Sequence, residues 1–228
     1  MAGTKANSYK GLVIYALPGL HEFISTKAVE YFEPGATLLK LAAGTGAMSL
    51  RMQDLGFKVT ATDYMPENFK LGTVPFMQAD LNDAFSFAYS RRFQAILASE
   101  IIEHLENPRH FARECFKILE PGGRMVLSTP NVDTAASKAS FIRSGSFLWF
   151  TEKDYEGHGH ITPMTQWQLH KVFTEAGFRF LWKESYGEGA SQLVGSPRLR
   201  LLTRLVGLIS PADSQLAGEI FVAVLVKP

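Results

Sequence analysis

Apolar and polar residues change period repeatedly along the chain. Residues 37–42 form a short run of strand formers that closes at Gly44, and residues 47–55 carry helical spacing that stops at Gly56. Residues 58–62 alternate as a strand does and end at Asp63. Two further apolar runs, 74–78 and 93–98, end near Asp80 and at Ser99-Glu100. Asn107-Pro108 reads as a helix start, with Asn as the cap and Pro at the first helical position. That helix lines up Phe111, Cys115, Ile118 and Leu119 on one stripe and is stopped by Pro121-Gly-Gly123. A strand over 124–129 follows. Thr162-Pro163 reads as the opening of a helix that buries Leu169, Val172, Phe173 and Ala176, with Gly177 as its cap. Strands over 178–185 and 219–225 complete the set, and an N-terminal helix over 21–32 precedes it.

Strands separated by helices of roughly 10–15 residues imply βαβ units and a mainly parallel sheet. The expected fold is α/β and Rossmann-like, with helices on both faces, in one domain over 1–228. Residues 1–35 are read as an N-terminal helical lid, 36–185 with 219–228 as the core, and 187–218 as an insert. In such sheets ligands bind beyond the carboxyl ends of the strands, where the strand order reverses. The candidate positions are therefore 42–46, Asp63, Asp80, 99–104 and 129–131.

Composition narrows the field. Hydrophobic residues at 46% and charged residues at 20% exclude a disordered or fibrous chain. Twenty-three basic residues against 22 acidic ones leave a formal charge of +1, too little to hold nucleic acid. The single cysteine, Cys115, excludes an internal disulfide, fits a reducing compartment and falls on a core stripe. No apolar run approaches the roughly 18 residues of a membrane span. Lys5 and Lys10 before the apolar stretch 11–20 imitate a signal peptide, but Pro18 interrupts it and no small-residue cleavage site follows. A cytoplasmic location is expected.

Leu41-Ala-Ala-Gly-Thr-Gly46 closes a strand and opens a helix. Gly44 and Gly46 lack Cβ, so backbone there can approach a ligand closely. Asp63 stands at the end of the next strand, where an acid accepts hydrogen bonds from ribose hydroxyls. Asp80, after the third run, is placed to meet an adenine edge. Together these point to a cofactor with a nucleoside. A dinucleotide motif would place a third glycine at position 49, where this chain has Ser49, and no lysine follows the turn as a P-loop requires.

Thr37-Leu-Leu-Lys-Leu-Ala-Ala-Gly-Thr-Gly46 resembles motif I of the class I S-adenosylmethionine-dependent methyltransferases. Asp63 matches their ribose-binding acid, Gln78-Ala-Asp-Leu81 their adenine-binding segment, and Leu119-Glu-Pro-Gly-Gly-Arg124 the turn before their fifth strand. Residues from Gly159-His-Ile-Thr-Pro163 to Ala176-Gly-Phe178 resemble a helix of the branch that holds the ubiquinone-biosynthesis O-methyltransferases. The resemblance implies a seven-stranded sheet with the last strand antiparallel. It also implies S-adenosylmethionine as cofactor, S-adenosylhomocysteine as product and a small-molecule acceptor. The cofactor-binding set it gives is Ala43, Gly44, Thr45, Gly46, Asp63, Tyr64, Asp80, Leu81 and Ser99. One position departs from the pattern: Lys40 stands where the family usually has an acid. A lysine about 6 Å from the cofactor's sulfonium would cost roughly 3 kcal/mol at an effective dielectric of 20. Lys40 could instead pair with the cofactor's carboxylate or with Asp63, or lose its proton on burial. It is expected to weaken cofactor binding, and an impaired or non-catalytic nucleoside binder stands as the alternative reading.

Methyl transfer needs an acceptor held in line with the sulfur–methyl bond and, for a hydroxyl, a proton acceptor. Two segments offer one. Glu100-Ile-Ile-Glu-His104 places Glu100, Glu103 and His104 on one side if a helical turn begins at Glu100. It resembles a segment linked to a divalent cation in the ubiquinone-type enzymes, although no metal is assigned here. His158-Gly-His160 lies in the long connection 131–161, whose Phe141, Phe147, Trp149, Phe150 and Tyr155 suit an apolar or aromatic acceptor. The catalytic candidates are His160, His158, His104 and Glu103, with His160 first because it adjoins a helix start. His21, His110 and His170 read as surface or helix-face residues. O-methylation of a hydroxyl is expected, with N- or C-methylation on the same scaffold as the alternative.

The insert contains a basic amphipathic helix over 197–209. Its leucines fill about half of the helical wheel, and Arg200, Thr203, Arg204 and Gly207 fill the other half. Such a helix caps a pocket, packs in a dimer or lies on a membrane. Peripheral membrane contact through it, and a monomer or homodimer, are the partner expectations.

Overall fold

The structure, a computed structural model, describes residues 7–188, 197–210 and 216–228. A short antiparallel hairpin, β1 (Ser8–Tyr9) with β2 (Leu12–Val13), leads into α1 (Leu20–Tyr31). Then follow β3 (Thr37–Leu41), α2 (Ala47–Asp54), β4 (Lys58–Asp63), β5 (Phe76–Gln78), β6 (Phe93–Ser99), α3 (Pro108–Ile118) and β7 (Leu119–Pro130). After these come α4 (Ala135–Ser144), α5 (Glu152–His158), α6 (Gln166–Glu175), β8 (Arg179–Tyr186), α7 (Pro197–Ile209) and β9 (Ile220–Val226).

Seven strands form one sheet in the order β5-β4-β3-β6-β7-β9-β8. The pairs from β5 through β7 are parallel, and β9 runs antiparallel to both neighbours. The order reverses between β3 and β6, so the carboxyl ends of these two strands frame the crevice in which such sheets bind ligands. Alternation along each strand separates two cores. Leu39, Leu41, Ile96 and Leu127 pack with Phe111 and Cys115 of α3 and Phe173 of α6. Leu38, Ala61, Leu97 and Val126 pack with Leu20 and Ile24 of α1 and Met52 of α2. By the same alternation Lys40 faces the α1–α2 side.

The expected elements recur, most with small shifts at their ends and the strand expected over 124–129 beginning already at Leu119, and three differences have physical causes. The helix expected from Thr162-Pro163 begins at Gln166 instead. Thr165 is its cap: its hydroxyl accepts from the Gln168 amide at 3.2 Å, and the Gln168 side chain accepts from the Thr165 amide at 2.8 Å. Thr162 is committed elsewhere, its hydroxyl donating to the Leu105 carbonyl at 2.6 Å and its amide to that of Glu103 at 2.9 Å. Secondly, the connection over 131–161 contains α4 and α5. Alanine and serine dominate α4 and α5 is short, so neither shows a clear apolar period; caps at Thr134 and Thr151 start them. Thirdly, the N-terminal hairpin is too short to carry a period at all. The helix expected over 197–209 is α7, whereas 189–196 and 211–215 of the same insert lie outside the described residues. No helix among the described residues is long and apolar enough to cross a membrane.

Candidate functional site

The turn after β3 is wound by positive φ angles: 50° at Ala42, 53° at Gly44 and 94° at Gly46. Asp63 fastens it. Its Oδ2 accepts from the Gly44 amide at 2.8 Å and its Oδ1 from the Met65 amide at 2.9 Å, which fixes the carboxylate at the end of β4. The two glycines serve different needs. A Cβ on Gly44 would meet nothing within 4 Å, so that backbone lies open. A Cβ on Gly46 would lie 2.8 Å from Leu71 Cδ1. Gly46→Ala is accordingly expected to lower stability by about 2 kcal/mol through strain and overpacking, read as a shift in the urea midpoint with unchanged slope.

Above the turn, at the carboxyl ends of β3, β4 and β6, lies a cavity of about 790 Å³. That volume falls within the range of small-molecule and cofactor sites. Of the sequence-predicted residues, Ala43, Gly44, Thr45, Asp63, Ser99, His104, His158 and His160 line it. The Thr45 hydroxyl donates to the Val13 carbonyl at 2.7 Å, tying the N-terminal hairpin over the glycine turn. The remaining predicted residues lie outside the lining. Gly46 packs against Leu71 and Phe69, and Leu81 belongs to the core beside Phe85. Asp80 holds the Asn82 amide at 2.8 Å, and the Tyr64 side chain is exposed to solvent. Glu103 is wholly buried and does not line the cavity.

Several wall residues escaped the sequence reading: Ile14, Pro18 and His21 from the N-terminal segment, and Met65 and Asn68 after β4. His21 is a correction. It sits in the first turn of α1, lines the cavity, and burial beside the positive Lys40 presses its pKa down to about 3. Its Nδ1 has no hydrogen-bond partner among the described residues. One residue away from the Leu20–Ile24–Ala28 stripe, it carries no periodic signal.

Lys40 is buried at 2% exposure, yet it lines the cavity. Its Nζ donates to the carbonyls of Leu41 at 2.5 Å and Ala42 at 2.9 Å. Burial lowers its pKa to about 8, against the opposing pull of Asp63 and Glu100. Glu100 sits across the switch point with φ of 50°, and the Ser128 hydroxyl donates to its Oε1 at 2.7 Å. Burial raises the Glu100 pKa to about 7, while the Ser128 bond and Lys40 act to lower it. Lys40 is therefore not a bare charge: two carboxylates share its surroundings. The linkage sign follows. Between about pH 4.5 and 7 the folded state binds more protons at Glu100 than the unfolded state, so the contribution of this group to stability falls as pH rises. Between about 8 and 10.5 the unfolded state binds more at Lys40, so stability recovers. His21 and His104, with pKa values pressed to about 3 and 4, act oppositely below about pH 6.5, so the Glu100 share is read as a difference. Glu100→Gln should gain thermal stability relative to wild type as pH rises from about 4.5 to 7, by up to about 3 kcal/mol.

The two histidine segments meet. The rings of His104 and His160 stand edge to face with centroids 4.8 Å apart, and His158 and Phe150 flank His160. His160 Nδ1 lies 2.7 Å from the Trp149 carbonyl, which sets Nδ1–H as the donor and leaves the Nε2 lone pair free. Burial lowers the pKa of both rings, that of His104 to about 4, so both are neutral at pH 7. Glu103 accepts from the Thr129 hydroxyl at 2.9 Å through Oε2, while its buried Oε1 has no hydrogen-bond partner among the described residues and lies 3.9 Å from His104 Nε2. The helical turn here begins at Ile102, not at Glu100, so Glu100 turns toward β7 and does not share a face with Glu103 and His104. Glu103, His104 and His160 offer ligand atoms within 4.8 Å of one another, a donor set suited to a borderline divalent cation. A second, aromatic cavity of about 450 Å³ adjoins, lined by Phe141, Phe147, Phe150 and Tyr155, and His160 belongs to both cavities.

Comparison with known proteins agrees with this architecture. A ubiquinone biosynthesis O-methyltransferase of Caulobacter vibrioides is 35% identical over 105 residues, covering 42% of each chain. One from Psychrobacter cryohalolentis is 32% identical over 164 residues, covering 68% of this chain and 63% of its own. The chain thus spans about half the length of the curated relatives it matches. A SAM-dependent methyltransferase structure from Archaeoglobus fulgidus superposes with a TM-score of 0.61 at 16% identity, covering 91% of this chain and 94% of the other, a likeness of fold. The model of the methyltransferase domain matches residues 13–182, and the chain belongs to that family.

Proposed function

We propose that the protein transfers a methyl group from S-adenosylmethionine to a hydroxyl of a small-molecule acceptor. The observation that carries the reading is the meeting of His104 and His160 on the wall of the cavity that also holds the glycine turn and Asp63. The site's residues fit the cofactor: Gly44 is open, and Asp63 is already oriented by two amides with lone pairs left for ribose hydroxyls. When bound, S-adenosylmethionine supplies a methyl group on a positively charged sulfur, activated for displacement. Asp63 holds the ribose, and the open Gly44 backbone admits the nucleoside closely. The neutral His160 takes the acceptor's hydroxyl proton at Nε2, and its Nδ1–H to Trp149 keeps that lone pair aimed. The aromatic walls of the second cavity hold an apolar part of the acceptor. The test is release of labelled methyl product from labelled cofactor against a panel of phenols and alcohols; turnover only with amine acceptors would overturn the hydroxyl assignment.

The orphaned Glu103 Oε1 favours a second reading of the same cluster, in which Glu103, His104 and His160 bind a divalent cation. Turnover that survives exhaustive chelation excludes it. Lys40 gives a further check. The sulfonium of the substrate cofactor is positive and the sulfur of S-adenosylhomocysteine is not. Lys40→Met is therefore expected to shift the affinity ratio about tenfold toward S-adenosylmethionine, less than two bare charges would give because Asp63 and Glu100 offset Lys40. Calorimetric titration with both ligands reads the ratio directly.

A further inference from the structure

The helices α4 and α7 share a small core of their own. Leu199 and Val206 of α7 pack on Ala136 and Ala139 of α4 in a small core separate from the two that flank the sheet. Lys138 Nζ on α4 donates to the Ser210 hydroxyl just beyond α7 at 2.9 Å and closes the pair. The burial of Leu199 and Val206 leaves the other half of the apolar surface of α7 without a partner among the described residues. On a helix of 3.6 residues per turn, Leu201, Leu205 and Leu208 fall on one line with Ile209 beside it. Leu208 is 79% exposed and Ile209 82%. Phe141 and Ile142 of α4 are exposed as well. A cluster of this kind on a chain in water marks a surface that meets something else.

Charge identifies the partner. Arg198, Arg200 and Arg204 on α7 and Lys138 and Arg143 on α4 are cations, and neither helix carries an acid. A second copy meeting this face across a two-fold axis would set these cations against themselves. An anionic bilayer complements them and takes up the leucines at the same time. At 13 residues α7 is too short to span a bilayer, so it lies in the plane of the interface. We propose that α4 and α7 form a peripheral docking surface for anionic lipid membranes, with the Leu201–Leu205–Leu208 line and Ile209 inserted and the arginines among the headgroups.

The experiment is sedimentation of the full chain with phosphatidylcholine vesicles and with vesicles about one-third phosphatidylglycerol. The protein is expected to pellet with the anionic vesicles only, and less as salt shortens the range of attraction. Arg198→Gln, Arg200→Gln and Arg204→Gln together should lower the partition coefficient about 100-fold. Leu208→Asp with Ile209→Asp should abolish pelleting; both positions are so exposed that folding, followed by circular dichroism, should be unaffected. Wild-type protein that stays in the supernatant overturns the proposal. So does pelleting that neither variant reduces. A dimer in sedimentation velocity that dissociates in the Leu208→Asp, Ile209→Asp variant, without vesicle binding, assigns the face to a second copy and also overturns it.

Discussion

Asp63→Ala is expected to weaken binding of S-adenosylmethionine and of S-adenosylhomocysteine alike by about 100-fold or more. The side chain acts twice. Toward the ligand it offers charged acceptors for ribose hydroxyls, each bond contributing about 1.5–3 kcal/mol. Toward the protein it holds the Gly44 and Met65 amides, so its loss also frees the turn that shapes the cavity. Because both ligands carry the same ribose, both should suffer equally, unlike the response to Lys40→Met. Asp63→Asn keeps one carbonyl acceptor and should fall between wild type and alanine. Stability should drop by only about 1–2 kcal/mol in either variant, the cost of one or two amide bonds near the surface. Calorimetry with both ligands, alongside a denaturation curve, separates the two roles. An unchanged dissociation constant in a folded Asp63→Ala protein would remove Asp63 from the cofactor site.

The sheet was legible because its signals are local. Residues 58–62 alternate, Asn107-Pro108 starts a helix within four residues, and the glycine turn with Asp63 marks one end of the crevice. The family resemblance supplied the number of strands and the antiparallel direction of the last, which periodicity does not contain. The cavity's far wall was not legible. Ile14, Pro18 and His21 reach it through a hairpin tied by the Thr45–Val13 bond, a contact between residues 32 apart. Glu100 shows the limit from the other side. Its sequence neighbours invite a helical turn with Glu103 and His104, but φ of 50° and the bond from Ser128 rotate it toward β7, from where its charge acts on Lys40. The reversed charge at position 40 and Asp63 as its companion were readable, and Glu100 was not, since it comes from the turn after β6. Likewise, nothing in a one-dimensional pattern says that the segments 100–104 and 158–160 close on one another.

That closure carries the second large expectation. His160→Ala should lower turnover about 100- to 10,000-fold, the usual contribution of a positioned proton acceptor, with cofactor affinity changed only a few-fold. The asymmetry follows from where His160 stands. Its ring borders both cavities, so it faces the acceptor side as much as the cofactor side. Its Nδ1 is spent on the Trp149 carbonyl, so a change of ring geometry acts on Nε2 alone. His158→Ala provides the contrast: His158 is exposed, and its removal should cost less than about tenfold. His104→Ala separates the two readings of the cluster. If His160 acts as a base, His104 only packs against it edge to face, and its loss should lower turnover by about tenfold without altering the response to chelators. If the three groups hold a cation, His104→Ala and His160→Ala should be equally damaging and turnover should depend on added metal. Acceptors of lower hydroxyl pKa need less help with their proton, so the deficit of His160→Ala should shrink across a series of increasingly acidic phenols. A deficit independent of acceptor acidity would leave His160 a positioning residue and move the proton to solvent.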